Sequence, residues 1–591
     1  MSSRGERRDD ERGAAAIIVT IFVSALLFGL CAVTVDVARW YAEAQRVQKA
    51  ADVAASAGVV YMPQDIAAAT TAARDVSGRN GYPNSGQSSV VVKPGTQPSQ
   101  LDVAVSSTIP NIFGKLIGLD SSTITRHAVA DYTGPQPMGS PCNTFGNEPP
   151  GTVGAGPAAS QLSVPLGANC SSVSQFWMNV NGPDVPKGNG DQYAVRSCAS
   201  GVSGCTGAVN DEFDPQGYIY LVRVKPAAVG STITLQLYDP AFASTDDWCT
   251  SAPTGTISSD NWNPYATTDA KTRYLKSPSK TAASAYCTGD NTADGSVAPT
   301  VTTFGLREPS DSQNPMAATP QPGCTKQYPG YTTAQVTAAA LQSSNAATYN
   351  RALAEVFHQW NTLCSFVPTE AGDYYLQVRT NVAWKGPALS NLAAYNALGA
   401  VGGAYQPPSG SLSGFAMYSQ NGDDTSVRGG GSNRFAVRAF GGPAASVSVS
   451  ALGKMSIYAN ANAAAPTFNL IRILPGAAGQ TLIFKFFDIG DAEAAASLTV
   501  MPPQETTTSL TGCKATGYKT QTLPTCAINI DSTWNGKSET IAVPVPSSYT
   551  CTYNSPGGCW FRLKVNFGSG AVQDTTTWTA YVSGDPVRLI E

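Results

Sequence analysis

From Ala14 to Val35 the chain runs 22 residues without a charge, mostly on Ala, Ile, Val, Leu and Phe. A helix of that length crosses a hydrocarbon core of about 30 Å. A cleaved export signal usually has a shorter apolar core and is followed closely by a small-x-small site. The nearest such site here, Ala42 to Ala44, sits well downstream. We therefore expect a retained transmembrane helix over 14–35, a cytoplasmic tail over 1–13, and everything after Asp36 outside the cytoplasm. The flanking charges are near balance, with Arg4, Arg7, Arg8 and Arg12 before the run and Arg39, Arg46 and Lys49 after it. They give only a slight lean to a cytoplasmic N-terminus.

The cysteines decide the orientation. Cys31 lies inside the apolar run, and twelve more follow: Cys142, Cys170, Cys198, Cys205, Cys249, Cys287, Cys324, Cys364, Cys513, Cys526, Cys551 and Cys559. An even set without any C-x-x-C pair reads as a disulfide framework in an oxidising compartment. Sequence neighbours suggest Cys551–Cys559, Cys513–Cys526 and Cys198–Cys205 as local bridges. Cys142–Cys170, Cys249–Cys287 and Cys324–Cys364 are the next pairs in line. Only 13 % of the 591 residues are charged and no basic stripe is present, so we expect no nucleic-acid partner.

The helical pattern outlasts the apolar run. Val33, Val37, Trp40, Ala44, Val47, Ala51, Ala54 and Gly58 recur at alternating steps of four and three, a seam built largely from small residues. The seam packs either on its own chain or on a second copy or pilus-like subunit, through Val37, Trp40, Ala44, Val47 and Ala51. Pro63 ends it, and a second Ala-rich helix is expected from Gln64 to Val76.

Several blocks here carry a family resemblance: Arg12-Gly13-Ala14, Val35-Asp36-Val37-Ala38-Arg39 and Gln48-Lys49-Ala50-Ala51-Asp52-Val53-Ala54-Ala55. Asn80-Gly81-Tyr82, the strand Leu101 to Val105, Phe113-Gly114-Lys115-Leu116-Ile117-Gly118-Leu119 and Ala128-Val129-Ala130 extend it. Together they resemble the N-terminal module of the Flp pilus-assembly TadE/TadG-like family, over about residues 1–132. The resemblance implies a membrane-anchored component of a tight-adherence pilus or its secretion machinery, with the C-terminal region outside. The prepilin cleavage pattern is absent: five residues after Gly13 stands Ile18, not Glu.

Beyond a Gly/Pro/Ser-rich linker (133–164), short β-type runs alternate with turn residues. They are Tyr218 to Val224, Thr232 to Tyr238, Tyr374 to Arg379, Arg434 to Ala439, Phe468 to Leu474, Leu482 to Phe487 and Trp560 to Val565. This is a sandwich or jelly-roll pattern. One helix is expected from Ala346 to Asn361. Residues 220–241 (YLVRVKPAAVGSTITLQLYDPA) align without gaps to 469–490 (NLIRILPGAAGQTLIFKFFDIG), and Tyr193-Ala194-Val195-Arg196 and Phe435-Ala436-Val437-Arg438 precede them in the same order. The expected organisation is a helical or small α+β anchor-proximal module (36–132) and two related β-sandwich domains (165–385 and 430–591). A loop-rich connection (386–429) separates them. The whole is mainly β with an N-terminal transmembrane helix.

Catalytic signatures are missing. No G-x-S-x-G elbow occurs, and Gly536-Lys537-Ser538 lacks the first glycine of a phosphate loop, where Asp531 stands. The chain has two histidines, His127 and His358, and neither neighbours a nucleophile motif. The shared Asp239 and Asp488 read as turn caps, with Ca2+ ligation as the alternative. Asp290-x-Thr292-x-Asp294-Gly295 resembles a calcium loop but has Val301 at position twelve. Trp177, Trp248, Trp262, Trp384 and Trp534 could line a sugar site or fill cores. We expect no cofactor and no catalysis: the β-domains serve as structural or adhesive modules, with glycans among their possible partners. The alternative is an envelope-tethered carbohydrate-binding protein or glycoside hydrolase.

Overall fold

The computed structural model describes residues 6–62, 66–149, 176–247, 288–292, 300–380 and 429–590, with gaps of one to five residues inside these spans. The chain divides into two compact units. One comprises Met1–Gly134 with Asp585–Glu591, and the other Pro135–Gly584.

The first unit is built on helix α1 (Glu6–Gly58), with α2 (Ile66–Arg79) and the antiparallel sheet order β1 (Ser88–Pro94), β2 (Gln100–Pro110), β3 (Ser121–Tyr132) and Val587–Leu589, the last strand of the chain (β26). Strand β2 alternates from Leu101 to Ser107: Leu101, Val103 and Val105 point into a core shared with Val47, Ala50, Ala51, Ala54 and Ala55 of α1. Alanines let the helix lie close on the sheet. At Gly58 closeness is absolute, since an added Cβ would stand 2.6 Å from Leu101 and 2.7 Å from the Ala69 carbonyl.

No helix among the described residues is long and apolar enough to cross a membrane. The side chains at positions 28, 30 and 32, inside the apolar run, are not among those described. The fold therefore does not supply the transmembrane helix expected over 14–35. It does leave Ile17, Ile18, Val19, Ile21, Phe22, Leu26 and Leu27 all exposed on α1.

The second unit is mainly β. Its strands are β4 (Pro137–Met138), β5 (Thr144–Phe145), β6 (Phe176–Asn181), β7 (Tyr218–Val224), β8 (Ile233–Tyr238), β9 (Asn291–Thr292), β10 (Thr302–Arg307), β11 (Pro320–Tyr328), β12 (Trp360–Phe366) and β13 (Gly372–Thr380). The chain continues through β14 (Gly431–Phe440), β15 (Val447–Leu452), β16 (Lys454–Ala461), β17 (Thr467–Arg472), β18 (Thr481–Phe487) and β19 (Ala496–Met501). It closes with β20 (Cys513–Gly517), β21 (Gln521–Leu523), β22 (Ala527–Ile530), β23 (Ser538–Pro544), β24 (Trp560–Asn566) and β25 (Val572–Ser583).

Two sets of eight strands repeat one topology. In the first, the orders are β6-β14-β8-β12 and β7-β13-β10-β11; in the second, β16-β25-β18-β23 and β17-β24-β19-β22. Counted along the chain, each set reads 1-8-3-6 in one sheet and 2-7-4-5 in the other, the strand order of a jelly roll. Aromatics close the space between facing sheets: Phe304 meets Phe435 at 5.0 Å in the first set, and Phe468 meets Trp578 at 5.4 Å in the second. The sets are fused. β6 pairs with β16, while β15 and the two-residue β4 join β7 to β17, giving continuous sheets of 12 and 10 strands.

Three expectations need revising. Residues 431–440, assigned to the second domain, form β14, which pairs with β8 and completes the first set. The stretch 137–145, read as linker, contributes buried bridging strands; Met138 is fully enclosed between β15 and β17. Two-residue bridges carry no periodicity, so Gly/Pro-rich sequence conceals them. The helix expected over Ala346–Asn361 is only α4 (Arg351–Val356), capped by the Asn350 side chain on the Leu353 amide. A short α3 (Ala338–Leu341) precedes it. Phe357 is extended, His358 has φ +46°, and the aromatic Trp360 begins β12 instead.

Candidate functional site

The most organised polar feature of the first unit lies along α1. Read down the helix, its contacts climb strand β2 in reverse. Ser107 donates to Glu43 (2.7 Å), Arg39 to the Pro110 carbonyl (3.1 Å) and the Trp40 indole to Asn111 (2.9 Å). At the top, the Asp36 carboxylate accepts the backbone N–H groups of Ile112, Phe113 and Gly114, each at 2.8 Å. Burial opposes ionisation of Asp36, but these three donors, helped by Arg39, outweigh it and hold the carboxyl below its usual range.

Asn111 closes the β2–β3 tip from below. It donates to the Leu119 carbonyl (2.9 Å) and accepts from Ser122 (3.0 Å). Gly118 turns the tip at φ +81°, and an added Cβ on Gly114 would press within 3.0 Å of Asn111 and the Leu119 carbonyl. The residues so displayed are apolar and exposed: Ile112, Phe113, Leu116 (83 %), Ile117 (74 %) and Leu119.

The blocks that carry the family resemblance thus have local work in this unit. Gln48 bridges Asp52 and the His127 carbonyl, and the Tyr82 hydroxyl reaches Glu43. Of the proposed seam, Ala44, Val47 and Ala51 are buried in the unit's own core, Trp40 is half-buried, and Val37 is exposed. His127 stands 3.6 Å from Asp102, with its side chain mostly exposed.

In the second unit the aligned segments repeat in geometry as well as sequence. The 3₁₀ turns Pro226–Ala228 and Pro475–Ala477 are followed by Gly230 and Gly479 at φ +80° and +79°. Asp239 and Asp488 then adopt φ +50° and +57°. Each clasps the loop before the neighbouring strand. Asp239 donates its N–H to the Gln359 carbonyl and accepts the His358 N–H, while Asp488 donates to the Lys537 carbonyl and accepts the Gly536 N–H. His358 and Gly536 occupy the same place, both at positive φ. The cap expected of these aspartates exists, but it spans two strands rather than closing its own turn.

Around the first clasp lies a buried polar layer. Thr288 donates to Asp239 (2.6 Å), and Asp290 accepts the N–H groups of Ala243 (2.8 Å) and Arg434 (2.7 Å). Burial, and after it the charge of Asp239, pushes the Asp290 carboxyl well up. The Arg434 guanidinium pairs with Asp247 at 2.6 Å and lies 3.6 Å over the Tyr458 ring. The Asp239 and Asp290 carboxyls hold backbone in place, while Asp247 holds the Arg434 side chain. Among the described residues, no group of three or more His, Cys, Asp or Glu side chains could hold a metal ion.

Trp177 and Trp534 are fully buried, Trp177 stacked on Tyr238 at 5.3 Å. Trp248, Trp262, Trp384, Asp294, Cys170, Cys249 and Cys287 lie outside the described residues, as do Val195 and Arg196. Four of the expected bridges are present: Cys198–Cys205, Cys324–Cys364, Cys513–Cys526 and Cys551–Cys559. Cys142 is also disulfide-bonded, and Cys31 is free and exposed. Sequence reasoning missed the Asp36 clasp and the exposed tip, although both fall in quoted blocks; an acid just after a long apolar run, matched to an apolar Gly-x-x-x-Gly tip, was the available signal. No protein-family model, curated protein or solved structure matches this chain.

Proposed function

We propose that this is a single-pass membrane protein, anchored by residues 14–35, that holds its fused β-rolls outside the cytoplasm as a TadE/TadG-like component of a Flp-type pilus or its assembly machinery. The observation that carries the reading is the division of α1. Its N-terminal half leaves large apolar side chains exposed around the helix, Phe22 at 73 %, whereas its C-terminal half is sealed into a folded unit. Exposed apolar surface on that scale calls for an apolar solvent or partner. The bridges support an oxidising location for residues after 142. The blocks resembling the family all fall in the unit that grips the helix. The rolls are read as non-catalytic structural or binding modules, because their shared aspartates hold backbone and Trp177 and Trp534 fill cores.

Protease added to intact, wall-stripped cells should digest the region after Asp36; full protection there overturns the topology. Deleting the gene should abolish Flp-type filaments seen by electron microscopy if the pilus assignment is right, and unchanged filaments overturn it.

A further inference from the structure

Resting on that membrane reading, we propose that the β2–β3 tip, Ile112 to Leu119, is a second membrane-contact element that dips into the lipid interface beside the anchor. The argument is one of level. Leu101 packs against Gly58 at one end of the unit, and Ile112 is bound to Asp36 at the other. Along α1, Asp36 to Gly58 rises about 33 Å at 1.5 Å per residue. Along β2, Leu101 to Ile112 spans about 36 Å at 3.3 Å per residue. The 36–58 stretch of α1 and the hairpin therefore run side by side, and the tip ends where the uncharged run ends.

The composition of the tip suits that place. Ile112, Phe113, Leu116, Ile117 and Leu119 are exposed, forming an apolar surface continuous in level with Val33, Val35 and Val37 of the helix, which are exposed too. Lys115 is exposed within it, and Arg39 stands beside it on α1, both placed for lipid phosphates. Asp120 marks its base, and the buried acid beneath it, Asp36, is turned inward onto the tip's own amides. Three hydrogen bonds fix the tip, so presenting these side chains costs little ordering of the loop. The occupant is thus a lipid bilayer, the same one that takes the helix.

The test uses full-length protein, with Cys31→Ser, in vesicles of phosphatidylcholine and phosphatidylglycerol. An environment-sensitive fluorophore is placed singly at Ile21→Cys, Leu116→Cys or Ser89→Cys, with lipid-borne bromine as quencher. We expect strong quenching at 21, quenching at 116 of about half that value or more, as for an element seated 5–10 Å into the interface, and almost none at 89. Quenching at 21 but not at 116 overturns the tip proposal and leaves the anchor standing. A blue-shifted but unquenched probe at 116 also overturns it, pointing to a protein contact. Absence of quenching at 21 overturns both readings.

Discussion

At the scale of single residues, two positions show how a carboxyl settles backbone. Asp36 is the first. Its carboxyl is held below the ordinary value near 4. The stabilisation it gives the tip is therefore complete above that ordinary value and is lost as the pH falls through the lower folded one. Hydrogen exchange should show the amides of Ile112, Phe113 and Gly114 protected at neutral pH, unprotected in Asp36→Ala, and opening in wild type only below about pH 4. Retained protection in the variant would refute the clasp. His358 is the second. It stands where the other copy has Gly536, with φ +46° against +67°. An L-residue pays for that conformation, so His358→Ala should be less stable than His358→Gly by about 1 kcal/mol in urea unfolding. A reversed order would mean that packing, not backbone, fixes the site. Removing the clasp itself, by Asp239→Ala or Asp488→Ala, should cost about 1–3 kcal/mol each.

At the scale of elements, sequence pattern was readable where one face is buried and was not where it is absent. β2 alternates, and Leu101 to Val105 was expected as strand. Strands β7, β13, β18 and β24 coincide within two residues with the expected runs, since their turns carry Pro, Gly or Asp at required angles. The α4 region misleads because its Ala-rich stretch has helical propensity while Trp360 and Phe366 are claimed by a sheet edge next to β8. Strand β26 could not be seen at all: three residues pair with β3 across more than 450 positions, Arg588 meeting Asp131 at 2.7 Å. Asp131 is buried and also accepts from Ser99 (2.6 Å). Arg588→Ala should lower the first unit's stability by about 1–2 kcal/mol, since Arg588 is itself partly exposed. A chain ending at Gly584 should show faster amide exchange in β3 and a rise in light scattering from its opened edge.

At the scale of the whole molecule, the ungapped repeat at 220–241 and 469–490 was the legible trace of two eight-strand sets. Their boundary was not legible, because β14 follows a long Gly-rich stretch and nothing local says that it returns to β8. The aspartates shared by the repeats invited a metal reading; only the fold shows what their oxygens hold. Bridges differ in reach. Cys324–Cys364 closes a separation of 40 residues between β11 and β12, in opposite sheets, whereas Cys551–Cys559 closes 8. In the chain-entropy account, losing the long bridge should cost about 4 kcal/mol and the short one about 2.5. Thermal unfolding of the paired Cys→Ser variants would check that order, and equal losses would discount loop entropy as its cause.

The pairing of β26 with β3 also makes a unit whose other strands are synthesised early wait for residues made more than 450 positions later. While the residues between are still being made, the C-terminal end of β3, packed beside α1, waits with a bare flank. Only when residues 587–589 arrive are Ala130, Asp131 and Tyr132 paired on that side. A product lacking β26 would announce itself by those unpaired residues, giving a housekeeping protease or chaperone a way to tell it from molecules that carry the strand without inspecting the rolls.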